Sequence, residues 1–314
     1  MHPRKWLAAT LCGLLIGAAG SCHKPLSQET RSYYMTRTAP EDAAALGCAN
    51  ADKSGRLTLF FGAPTMVNGV PGATLWGAPN QHVYQIAHAV KEFVRGYATC
   101  RQDPNFRLLI GIGTSNSGID ARTDDWLYAH GRVWGNMVRD MATWAATYYP
   151  FHAQIFGAWD FEPSWSQFGK AESWMHGYDL TDGRPGIYIN ASADGCPTQT
   201  AVNQPCNNGW NQWEMWHLAW QHNSGMPFPQ IYATSGVNAR QWQLVDLYAA
   251  THQASFMFFF GTMTQAEACR QNGGCSGTDN NPHQAQSFML DWLNSDQRTS
   301  QGDIEGMTDI RWFT

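Results

Sequence analysis

The chain has 314 residues, a net charge of −5 and only 14% charged side chains, so neither nucleic acid nor an anionic membrane surface is an expected partner. It is long enough for one large barrel or two small domains. No Pro/Ser-rich linker interrupts its body, which favours a single core and a monomer.

Residues 1–21 carry Arg4 and Lys5, then an uncharged apolar stretch from Trp6 to Gly20, and end on Ala19-Gly20-Ser21 directly before Cys22. This is the pattern of an export signal of lipoprotein type, which makes Cys22 the expected lipidation site and the lipid the only expected membrane contact. Export to the cell surface or periplasm also follows. Removing the signal and lipidating Cys22 leaves Cys48, Cys100, Cys196, Cys206, Cys269 and Cys275, an even set that an oxidising compartment would bond. Local loops favour Cys196 with Cys206 and Cys269 with Cys275, leaving Cys48 for Cys100, although the sequence alone permits other pairings. Residues 22–50 are polar and irregular and are expected to form a tether.

The body alternates strand with helix. Residues 56–63 are expected to form a buried strand, 81–99 a helix, and 107–113 a second strand. A helix is expected over 130–148, where Val133, Met137, Met141 and Trp144 recur at helical spacing and so face the core. Further strands are expected at 152–160, 186–191, 214–220, 229–233 and 255–261, with helices at 171–177, 238–251 and 282–293. Short, doubly buried strands alternating with helices imply parallel pairing. Seven clear units fit a (β/α)8-type TIM barrel spanning 51–314 better than a doubly wound sheet.

The most informative segment is Trp159-Asp160-Phe161-Glu162-Pro163-Ser164-Trp165. Asp160 and Glu162 stand two apart, the spacing that turns both side chains to one face of a strand, and Pro163 stops that strand in a loop. Two carboxyls held close cannot both ionise freely, so one pKa should rise while its partner stays charged. That is the equipment of acid/base hydrolysis. Fifteen tryptophans exceed the needs of packing, and neutral polar ligands with apolar faces, carbohydrates above all, suit such a surface. In a barrel the strand ends converge, which would bring Asn116, Asn190, Asp194, Trp220, Gln230 and Tyr232 to the same mouth, with Trp159 and Trp165 as sugar platforms. A second carboxylate is sought in Asp194 or Glu214. Asp194 beside Gly195 could equally shape a turn, and Glu214 could open its strand and lie at the wrong end.

Asp-x-Glu at the end of a central strand resembles the barrel glycoside hydrolases of families 18 and 25. The resemblance covers about ten residues and the β/α rhythm. Ala158 and Ile155 stand where family 18 has further aspartates, and Phe60-Phe61-Gly62-Ala63 lacks the first-strand acid of family 25. It implies Glu162 as general acid, Asp160 as its partner in orienting a substrate acetamido group, and Tyr232 as an auxiliary tyrosine. The expected function is an exported glycosidase acting on a polysaccharide, with N-acetylhexosamine polymers such as peptidoglycan or chitin as candidates. The alternative is a catalytically idle barrel that binds glycans at the cell surface.

Other chemistries are poorly matched. Gly111-Ile112-Gly113 lacks the third glycine of a dinucleotide loop and reads as a turn, and Ser115 and Ser117 do not build a nucleophile elbow. No cofactor is expected. No CxxC or HxH spacing occurs, and His130, His152 and His217 default to buried or loop roles, so no metal is expected either.

Overall fold

The computed structural model describes residues 29–101, 103–222 and 224–314. The expected signal and the lipidation site at Cys22 lie outside the described residues. Eleven strands and eight α-helices follow in chain order: β1 (Glu29–Met35), α1 (Pro40–Cys48), β2 (Gly55–Phe60), β3 (Ala63–Val67), β4 (Val70–Thr74), β5 (Asn80–His82), α2 (Val83–Cys100), β6 (Leu108–Ser115), α3 (Asp124–Tyr148), β7 (Ala153–Asp160), α4 (Phe168–Asp179), β8 (Ile187–Ile189), α5 (Gln212–Trp216), β9 (Gly225–Pro227), α6 (Val237–His252), β10 (Thr262–Thr264), α7 (Ala266–Gln271), α8 (Pro282–Leu293) and β11 (Met307–Phe313). Eight strands form one sheet in the order β10-β11-β1-β2-β6-β7-β8-β9, and every pairing in it is parallel. The helices between them make the protein α/β.

The end of β9 and the segment after it also meet β10 and the residues just before it. Phe260 N donates to Pro227 O at 2.8 Å, Met263 N to Pro229 O at 2.9 Å and Ile231 N to Met263 O at 2.9 Å, with a parallel bridge between Gln230 and Met263. Strand alternation divides the core in two. Ile155 and Trp159 of β7 belong to the large cluster that also holds Trp174 of α4. Ala158 of β7 joins a smaller cluster with Phe60, Tyr188, Phe228, Met263 and Ile310, drawn from strands all around the sheet. A β-carbon at Gly113 would stand 2.4 Å from the Phe60 ring, so glycine there makes room for this inner cluster.

Several expectations need correction. Residues 29–50 are not a tether: β1 lies between β11 and β2, and α1 follows it. Polar Thr30 and Ser32 disguise a buried strand because their hydroxyls are satisfied inside the sheet, Ser32 Oγ lying 2.8 Å from Thr308 Oγ1. Residues 214–220 are helical, not a strand. Asn211 and Glu214 form a reciprocal capping box that starts α5, which passes into a π-helical turn over His217–Gln221. Residues 229–233 contribute only the bridge at Gln230, and the seventh expected strand is displaced to Thr262–Thr264. Gly111 and Gly113 lie within β6 rather than in a turn. The antiparallel β3-β4-β5 sheet and the last strand, β11, had no counterpart in the sequence reading.

The disulfides are Cys48–Cys100, Cys196–Cys206 and Cys269–Cys275, the pairing that local loops favour, and they fit an oxidising, extracellular compartment. Among the described residues, no helix is long and apolar enough to cross a membrane.

Candidate active site

Asp160 is the last residue of β7, on the inner face with Ala158 and 1% exposed. Pro163 opens a 3-10 turn over Pro163–Trp165 and ends the strand. Glu162, between them, is held by its backbone. Asn116 Oδ1 accepts from Glu162 N at 3.0 Å, and Asn116 Nδ2 donates to Glu162 O at 2.9 Å. The end of β6 thereby fixes the end of β7, where the Asp160 charge acts on the Glu162 carboxyl.

Asp194 joins them from the loop after β8. Its carboxylate accepts from Ser164 Oγ at 3.1 Å and from Ser192 Oγ, while its carbonyl accepts from Asn207 N at 2.9 Å. The Cys196–Cys206 bridge closes this loop. From this loop the Asp194 carboxyl acts on Glu162 and favours its protonated form. Gln230 completes the cluster, its Nε2 donating to Asp160 Oδ1 at 2.6 Å and to Asn190 O at 3.1 Å. Asp160 Oδ2 is buried without a partner among the described residues.

Both Asp160 and Glu162 are pushed well above the ordinary carboxylate range. Burial is the main cause in each. The Asp194 charge adds to it for Asp160, and those of Asp160 and Asp194 for Glu162, while the Gln230 amide acts in the opposite direction. The expectation that proximity would raise one pKa and leave its partner charged is therefore corrected: desolvation raises both. No arginine or lysine is among the groups acting on the pair.

The remaining candidates divide. Tyr232 reaches the site, where burial raises its phenol pKa and Tyr34, Asp160 and Glu162 push the same way. Trp165 is partly exposed in the turn after Glu162. Trp159 is core, because alternation sends it to the helix side, where its ring lies 4.7 Å from that of Trp174. Asn116 and Asn190 are fully buried and bind protein, Asn190 Nδ2 donating to Phe228 O at 3.1 Å. Glu214 spends its carboxylate on the α5 cap, accepting from Asn211 N at 3.0 Å. Trp220 sits by Gly186 and Gly225, at the N-terminal ends of β8 and β9 and thus at the opposite end of the sheet.

Three aromatic residues were missed. Tyr34 and Trp312 are the penultimate residues of β1 and β11, and Trp76 follows β4; their rings pack together, with Tyr34 4.7 Å from Trp312 and 5.2 Å from Trp76. Burial, then Asp160, raises the Tyr34 phenol pKa, which places this group beside the carboxyls. Tyr34 and Trp312 belong to the two strands that the sequence did not reveal, so no strand-end argument could reach them.

No family profile and no curated protein matches the chain. Among solved structures it is similar to a fungal beta-1,4-galactanase, with a TM-score of 0.42 and 9% identity over 90% of this chain and 89% of that one.

Proposed function

We propose that this protein is an exported glycoside hydrolase acting on a polysaccharide. The observation that carries the reading is the convergence of Asp160, Glu162 and Asp194 at the strand ends, without a balancing cation and beside the Tyr34–Trp76–Trp312 aromatic group. Glu162, protonated at neutral pH, gives its proton to the leaving oxygen of the glycosidic bond as water adds to the sugar carbon. Asp160, itself raised to about 8 by burial, is neutral as well at that pH, and its charge helps to keep the proton on Glu162 only above it. Asp194, oriented by Ser164 and Ser192, is the second carboxylate and takes the proton that the attacking water loses. Polymers containing N-acetylhexosamine are the first candidates.

The same reading takes the curled sheet as a closed (β/α)8 barrel, supported by the hydrogen bonds from Phe260 and Met263 to Pro227 and Pro229. It also takes Cys22 as the lipid anchor, on the strength of Ala19-Gly20-Ser21 before it. Wild type should therefore partition with membranes and Cys22→Ser should not.

A reducing-sugar assay over a polysaccharide panel tests the activity. On a substrate that the wild type cleaves, Glu162→Gln should lower turnover by about 100-fold or more while polysaccharide binding survives. Near-normal turnover in Glu162→Gln would remove Glu162 from the chemistry. A wild type that binds a polysaccharide and releases nothing would make the protein a glycan-binding scaffold instead.

A further inference from the structure

Away from the strand-end mouth, α4 and the π-helical turn after α5 bring three potential ligands together: Glu172, His217 and His222, each of which places one donor atom within 4.8 Å of the others. We propose that these three side chains form a binding site for a zinc-class divalent transition-metal ion.

The hydrogen bonds leave His222 with a nitrogen that has no partner among the described residues and set His217 Nε2 against the Glu172 carboxylate. A carboxylate oxygen can only accept, so the contact of 2.6 Å between His222 Nδ1 and Asp179 Oδ2 puts a hydrogen on Nδ1. In the neutral ring Nε2 then carries a lone pair, and that atom is buried without a partner in a side chain only 11% exposed. Asp179 is not a ligand, because its other oxygen accepts from Arg184 and Ser224; it orients His222, as a carboxylate behind a metal-bound histidine does.

His217 repeats the pattern. Its Nδ1 lies 2.6 Å from the Gln221 amide oxygen, again an acceptor, so Nδ1 holds a hydrogen. Nε2 stands 3.1 Å from Glu172 Oε1. Without an ion, that oxygen accepts from a protonated Nε2, so a metal ion would bind by displacing this proton, and 3.1 Å is an ordinary separation for neighbours bound to one ion at about 2.0 to 2.1 Å each. Trp213, its ring 4.8 Å from that of His217, holds the imidazole in place.

The backbone supplies the remaining piece. In a regular α-helix, residues five apart point roughly 140° away from each other. The π turn, in which His222 N donates to His217 O at 3.3 Å, brings the second histidine back toward the first. Two imidazoles and one carboxylate suit zinc better than magnesium or calcium, which prefer oxygen ligands. Glu172 is 41% exposed, leaving the remaining coordination position to solvent. The ion would join α4 to the segment leading into β9.

Untagged full-length protein stripped with chelator and titrated with zinc chloride should bind one equivalent at this site and show a raised thermal midpoint; magnesium chloride should do neither. His217→Ala and Glu172→Gln should each weaken zinc binding about tenfold or more. Asp179→Asn should weaken it by about 10- to 100-fold without changing the stoichiometry. Glu172→Gln, at a half-exposed position, keeps the test decisive if the Asp179 variant fails to fold. No zinc uptake by the wild type, or unchanged affinity in both His217→Ala and Glu172→Gln, would overturn the site.

Discussion

The Gln230 amide and the Asp160 carboxyl act on the proposed acid in opposite directions, which makes the site testable one atom at a time. Gln230 donates to Asp160 and favours the charged forms of Asp160 and Glu162; the Asp160 charge disfavours that of Glu162. Activity that needs protonated Glu162 falls as pH rises through its pKa. Asp160→Asn removes the neighbouring charge, so the basic limb of the kcat/KM profile should move to lower pH. Gln230→Leu removes the donor and should move that limb to higher pH. Burial remains the largest cause in both variants, so neither shift should return Glu162 to an ordinary carboxylate. Limbs that stay in place would show that Glu162 does not set the profile.

At the scale of elements, His130 of α3 is the buried polar link between β4 and α4. Its Nε2 lies 2.8 Å from Gly72 O, while Nδ1 accepts from Trp174 Nε1 at 2.9 Å. Burial lowers its pKa to about 4, so the folded protein keeps the ring neutral where the unfolded chain would protonate it. Its contribution to stability is complete above the unfolded pKa of about 6.5 and is lost as pH falls toward 4, up to about 3 kcal/mol. Asp160 and Glu162 slope the other way, because the fold binds their protons more tightly than the unfolded chain does. Urea unfolding at pH 7 and pH 4.5 should therefore show a smaller acid loss in His130→Phe than in the wild type, and a lower stability of that variant at pH 7. Equal acid losses would remove His130 as the source. The stripe of Val133, Met137, Met141 and Trp144 on the same helix does pack toward the core, as its period requires.

For the whole molecule, the decisive fact is that the first and last described strands are neighbours inside the sheet. β1 pairs with β11 over seven residues, from Glu29 opposite Met307 to Met35 opposite Phe313, and its other edge meets β2. A tether could be cut away without harm; this strand cannot. A chain beginning at residue 37 should lose its cooperative thermal transition, whereas one beginning at residue 29 should keep it, as followed by circular dichroism. A sharp transition in the shorter chain would show that the remaining strands fold without β1. Cys48–Cys100 ties the neighbouring α1 to α2, and closing so long a loop contributes about 4 kcal/mol in the chain-entropy account.

By itself, the sequence determined the features that rest on local pattern: parallel β/α alternation through the middle of the chain, the helical period of α3, the start of α8 at Pro282, and the shared face of Asp160 and Glu162 at a proline-terminated strand. These depend on periodicity and backbone sterics within a few residues. Only the tertiary structure decided that Asp194 and Gln230 meet that pair, that Asn116 braces it instead of binding a ligand, and that Tyr34 and Trp312 lie beside it. Each of these depends on strand order. β1 and β11 show little local pattern of their own, because their buried polar residues are satisfied by partners remote in sequence, such as Thr308 for Ser32 and Thr264 for Asp309.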